Sequence, residues 1–88
     1  MFRPKDAAMA DRLLREAVSC MQRGDHVAAL PLLNRAAVRA PTGPNLAAVL
    51  WTRSGAFIAA GNWAAGRADA ETAMSQGLSD QRRYAPFH

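Results

Sequence analysis

Cysteine, isoleucine and lysine each occur once in these 88 residues. The lone Cys20 excludes an internal disulfide and fits a reducing compartment. β-Branched residues are scarce, with four Val, three Thr and the single Ile set against 20 Ala. Ala is the strongest helix former and the β-branched residues are those that favour strands. The composition therefore argues against a sheet and for an all-α fold. No apolar run approaches the ~20 residues needed to cross a bilayer, and the opening MFRPKDAAMADR lacks the apolar segment of a secretory signal. The expectation is a soluble, cytoplasmic protein with no membrane partner.

Catalytic groups are equally thin. Of the two histidines, His26 stands at the start of a helical segment and His88 is the last residue. Cys20 falls on an inward stripe, where a thiol packs as a small apolar group. No metal-ligand spacing and no phosphate-binding glycine loop appears. Asp69 and Glu71 are two apart on a helix and so point in different directions. The chain reads as no enzyme, with no metal and no cofactor.

Charge is lopsided in kind more than in amount. Lys plus Arg is 11 and Asp plus Glu is 7, a net charge of +4. All but one of the basic residues are Arg, and they are dispersed along the chain at Arg12, Arg15, Arg23, Arg35, Arg39, Arg53 and Arg67. Dispersed arginines read as a solvated surface. The adjacent Arg82 and Arg83 can contact an acidic partner tail, and nucleic-acid binding through Arg35 and Arg39 is the weaker reading.

What the chain does have is helical periodicity. Leu13, Ala17 and Cys20 form one stripe, and Leu14, Val18 and Met21 form its neighbour. These predict a helix from Asp6 to Arg23, ended by Gly24. Asp25 caps the next, from His26 to Ala40, along which Ala29, Leu33 and Ala36 keep one stripe in phase. Pro31 removes the bond to the Val27 carbonyl, so one kinked helix is expected, with two shorter pieces as the alternative. PTGPN is a connector, after which a third helix runs from Asn45 to Ala60. Gly61 ends it, Asn62 caps a fourth from Trp63 to Gln76, and Gly77 stops that one. Connectors this short predict antiparallel neighbours.

The two halves repeat. Gly24-Asp25-His26 and Gly61-Asn62-Trp63 are each a glycine, a capping residue and a ring, 37 residues apart. At the same offset Leu13 pairs with Leu50, Cys20 with Phe57 and Ala36 with Ala73. A helix-turn-helix unit recurring at this length is the mark of a helical solenoid. The chain thus reads as a single domain, residues 1–88. One repeat spans residues 10–41 and a second 45–78, and residues 79–88 form a tail in which Ser79 can cap a short helical turn.

With these positions the chain resembles the tetratricopeptide repeat family, whose unit is 34 residues. The matches are Leu13, Ala17, Gly24, Ala29, Leu33, Ala36 and Pro41, then Leu50, Phe57, Gly61, Trp63 and Ala73, with Gly66 at the small-residue position of Ala29. The second unit is similar to the middle repeat of co-chaperone-type domains, which commonly place an Arg in the first helix and an Asp in the second. Here these are Arg53 and Asp69, and they are expected to pair and brace the hairpin. The resemblance implies two antiparallel hairpins stacked as a short solenoid, with Gly24, Ala29, Ala36 and Gly61 as further structural positions.

It also implies that the first helices of the units line a concave groove. The residues placed there are Asp11, Leu14, Arg15, Val18, Met21 and Gln22 from one unit. The other supplies Ala48, Trp51, Thr52, Gly55, Ile58 and Ala59. The spacing supports part of this independently, since Leu14-Val18-Met21 and Trp51-Gly55-Ile58 are each four then three apart and neither stripe is needed for pairing within its own unit. Chaperone-binding members carry Lys and Asn where this chain has Leu14 and Val18. The expected function is a protein-interaction module, adaptor or scaffold that takes a partner helix or peptide in an apolar groove with Trp51 as anchor. The alternatives for the stripe are self-association and cover by Tyr84 and Phe87 of the tail. A co-chaperone-type adaptor for acidic C-terminal peptides is the alternative function.

Overall fold

A computed structural model describes residues 4–40 and 44–78. The connector residues Pro41, Thr42 and Gly43, and the tail with Ser79, Arg82, Arg83, Tyr84 and Phe87, lie outside the described residues. Four helices are formed, α1 (Pro4–Gln22), α2 (His26–Arg39), α3 (Pro44–Ala59) and α4 (Trp63–Ala73), followed by a π-helical segment, Met74–Leu78. The described residues contain no strand. α1 packs chiefly on α2 and α3 on α4, and the α2–α3 contact joins the two hairpins.

The hairpin turns are built twice in the same way. Gly24 has φ +83° and Gly61 φ +90°, the left-handed region that a glycine enters without a Cβ clash. In the first turn Gly24 N–H donates to Met21 O at 2.9 Å and Asp25 N–H to Cys20 O at 2.9 Å. In the second, Gly61 N–H donates to Ile58 O at 3.0 Å and Asn62 N–H to Phe57 O at 2.8 Å. These paired bonds satisfy the last carbonyls of the outgoing helix. The next helix is then started by a side-chain cap: Asp25 accepts from Ala28 N–H at 3.2 Å, and Asn62 from Ala65 N–H at 3.2 Å.

α2 runs through Pro31 as one helix, the expected arrangement rather than two shorter pieces, because the missing N–H lies on the exposed side while Ala29, Leu33 and Ala36 stay buried. One helix end differs from the sequence-based expectation. α4 leaves α-geometry at Ala73, and Gly77, expected as a stop, lies inside the π-helical segment. Hydroxyls compete for carbonyls there: Thr72 Oγ1 donates to Ala68 O at 3.0 Å and Ser75 Oγ to Thr72 O at 2.8 Å. The widened turn still packs against α3.

The core is made largely of alanine. Ala10, Leu13, Ala17 and Cys20 of α1 meet Ala29, Leu33, Ala36 and Ala40, with Val49 and Ala56 from α3. Ala47, Leu50 and Ala73 form a second cluster, and Ala37 and Leu46 pack against both. Leu33 and Val49 are the largest side chains fully out of solvent. Alanines let helix axes approach closely, so Leu33 acts as the filler between the small residues of its own stripe. Its burial is worth about 1.5–3 kcal/mol.

Candidate interaction cleft

α1 and α3 belong to different hairpins, and a cleft of about 260 Å³ opens between their N-terminal halves. Ala7, Ala10, Asp11 and Leu14 line it from α1, and Asn45, Ala48 and Val49 from α3. Asp11, Leu14 and Ala48 were placed there by the sequence. Ala7, Ala10, Asn45 and Val49 were not, although Ala7, Ala10 and Leu14 follow one another at three and four residues, a legible helical stripe. Its lining residues are apolar apart from the exposed Asp11 and Asn45, yet the surface they present is about half polar. Asp11 is held by Arg15, whose Nη2 lies 3.2 Å from its Oδ2.

Further along the same two helices the stripes meet. Met21 Cε lies 3.5 Å from the position a Cβ on Gly55 would take, so Gly55 provides a shallow seat for the methionine. Leu14, Val18 and Met21 are all half-buried, and Trp51 is 50% exposed. Thr52 is committed to its own helix, its Oγ1 donating to Ala48 O at 2.8 Å.

Ile58 departs from the groove assignment. A Cβ on Gly66 would lie only 2.6 Å from Ile58 Cγ1 and 3.0 Å from Ser54 O. Ile58 therefore lies over Gly66 of α4 and serves the pairing of its own hairpin, while remaining 36% exposed. Gly66 is small for the reason Ala29 is, and the contact is closer still. At the matching place in the first hairpin stand Ala17 and Ala29, both fully buried. In the second, Ser54 and Gly66 stand there, and Ser54 Oγ donates to Gly66 O at 2.7 Å.

Arg53 and Asp69 pair as expected, but with more partners and less solvent than an exposed brace would have. Arg53 Nε lies 2.6 Å from Asp69 Oδ2 and Nη2 2.9 Å from Oδ1, a bidentate fork. Their side chains are 21% and 12% exposed. Arg53 Nη1 also donates to Asn34 Oδ1 at 3.0 Å, so one guanidinium ties α2, α3 and α4 together. The same guanidinium lies 5.7 Å from the Phe57 ring centroid. The Asp69 hydrogen bond raises the Arg53 pKa above the ordinary arginine value, against the opposing pull of burial.

No group of three or more His, Cys, Asp or Glu side chains gathers among the described residues. Cys20 is buried, with Arg23 Nη2 3.3 Å from its sulfur. No helix among the described residues is long and apolar enough to cross a membrane. Comparison with protein-family models, with curated proteins and with solved structures finds no match to this chain.

Proposed function

We propose that the chain is a pair of tetratricopeptide-like hairpins acting as a non-catalytic protein-interaction module. Its binding site is the α1–α3 cleft, and the occupant is a helix or extended peptide of a partner protein. The observation that carries this reading is the cleft itself: it opens between two helices of different hairpins, its floor is alanine, leucine and valine, and half-exposed Trp51 stands on the same helix as one wall. A partly exposed indole on a rigid helix is the kind of anchor that dominates binding energy at protein interfaces. Amphipathic helices dock into such surfaces with side chains at i, i+3 and i+4.

The site residues of this reading are Leu14 and Asp11 in the cleft, with Val18, Met21, Trp51 and Arg15 beyond its lining on the same two helices. Thr52 and Ile58 contribute surface only. The likeness of the second hairpin to co-chaperone-type repeats, through Arg53 and Asp69, supports the second reading, an adaptor for acidic C-terminal peptides. Apolar Leu14 and Val18 at the clamp positions put the apolar groove ahead of it.

The test is selection of helical peptides on the purified chain, followed by titration into Trp63→Phe protein, where Trp51 is the only indole. Selected peptides should share an apolar stripe, shift Trp51 emission to the blue, hold their affinity at high salt and lose it with Trp51→Ala. Affinity that collapses with salt and ignores Trp51→Ala would sink the groove and favour a charge-based site. A concentration-dependent dimer in light scattering that Trp51→Glu dissolves would make the occupant a second copy.

A further inference from the structure

The outward face of α2 carries three apolar residues that the fold does not use. Val27, Pro31 and Val38 lie on one stripe, opposite the buried Ala29, Leu33 and Ala36, and the stripe also holds Asn34, whose Oδ1 accepts from Arg53 Nη1 of α3. Val27 is 71% and Val38 80% exposed, and Pro31 is exposed beside them. None of the three favours the helix it stands on. Valine loses rotamer freedom in a helix, and an interior proline has no N–H for the carbonyl four residues back. The internal repetition supplies a control. At 37 residues further on, the same face of α4 carries Ala64 and Ala68, both exposed, and the third position, Ser75, falls in the π-helical segment. α2 instead keeps three poor helix formers where they pack against nothing in the described chain.

Charge accompanies the stripe. Arg35 and Arg39 are exposed on the C-terminal half of α2, and neither forms an ion pair among the described residues. α2 itself contains no acidic residue, and the Asp25 carboxylate that precedes it is occupied in capping Ala28 N–H.

We propose that this face of α2 is a second docking surface, separate from the cleft, and that it takes an acidic amphipathic segment of a partner protein. The segment's apolar side chains lie over Val27, Pro31 and Val38, and its carboxylates meet Arg35 and Arg39. Charge complementarity selects this occupant. A second copy in a two-fold contact presents the same face to itself and brings no free carboxylate to the arginines. Interfacial membrane helices bury a broad face with Trp, Phe or Leu, and this stripe has only valine and proline.

The test uses the full chain carrying Trp51→Ala, which removes the anchor of the cleft, and three fluorescein-labelled synthetic helical peptides that share one leucine stripe and are flanked by Glu, by Gln or by Lys. Anisotropy titration should show the Glu peptide binding at least about tenfold tighter than the Lys peptide, with affinity falling as salt rises. In that background Val38→Ser and Arg35→Glu should each weaken the Glu peptide about tenfold or more. The triple change Val27→Ala, Pro31→Ala, Val38→Ala should melt about 5 °C or more above its parent and yet lose the peptide. Absence of binding by all three peptides, equal binding of the Glu and Lys peptides, or Glu-peptide affinity unmoved by Val38→Ser overturns the proposal. So does a lower melting temperature of the triple variant, which would make the stripe part of the fold. Two further outcomes overturn it by naming another occupant: a dimer dissolved by Val38→Ser, or co-sedimentation with phosphatidylserine vesicles abolished by Val38→Ser.

Discussion

Ser54 Oγ donates a 2.7 Å hydrogen bond to the carbonyl of Gly66, where α3 and α4 pack with no room for a Cβ. A side chain on one helix reaches the backbone of the other only because residue 66 has no Cβ. Ile58 fills the space that a Cβ would need. Gly66→Ala should therefore destabilise the chain by about 1–3 kcal/mol, read as a lower urea midpoint. Ile58→Ala in the same chain should recover part of that loss, and the contact with Ser54 O should leave the rest. Full additivity of the two changes would mean that they do not meet.

Arg53 joins three helices through Asp69 and Asn34. Removing one partner leaves the other charge half-buried and unpaired. Asp69→Ala should cost about 3 kcal/mol, and Arg53→Lys a substantial share of it, because an ammonium cannot form the bidentate fork. Asn34→Ala should cost less, about 1 kcal/mol. The sign of the Arg53 shift adds a pH expectation. A pKa raised in the folded state contributes stability that is fully present below the ordinary arginine value and is lost only as the pH rises through the still higher folded value. Arg53 should thus give the urea midpoint no pH dependence between pH 5 and 9.

Gly24 and Gly61 hold the same left-handed conformation in the same bonded turn. Gly24→Ala and Gly61→Ala should each destabilise by about 1–2 kcal/mol, and the two effects should be alike. Nothing lies within 4 Å of a Cβ at either position, so the loss comes from backbone conformation alone. The Asn variants should be milder than the Ala variants, an order that thermal melts can check.

Leu33 is fully buried among alanines that have little capacity to move inward. Leu33→Ala should cost about 2–5 kcal/mol, enough to leave a small domain largely unfolded in circular dichroism at 37 °C. Leu33→Met, which keeps the volume, should fold.

The features legible in the sequence are those with a local cause. A positive φ demands glycine, so Gly24 and Gly61 mark the turns. A first-turn amide demands an acceptor, so Asp25 and Asn62 mark the starts. Arg53 with Asp69 was legible through likeness to a known pattern rather than through spacing. What was missed depends on how deeply two helices approach. Ile58 has groove spacing, yet lies over Gly66 because the glycine opens a place for it. Ser54 reads as an ordinary polar helix residue until a carbonyl is brought within reach. The Asn34 bond to Arg53 crosses between hairpins, and no periodicity encodes it. The N-terminal part of the cleft, at Ala7 and Asn45, depends on how one hairpin docks on the other.

The order of contacts along the chain also has a kinetic meaning. Within each hairpin, helices that follow one another in sequence pack together, whereas the cleft requires α1 to meet α3 across an intervening helix. Folding through near neighbours is fast, on the order of microseconds to milliseconds for helical chains. Each hairpin can therefore form before the cleft does, and the cleft comes into being only at the final docking of the two. Loss of that docking in a partial opening would erase the cleft while leaving nearly all of the helix in place, so a partner seated between α1 and α3 would act as the clasp that holds the two halves in register.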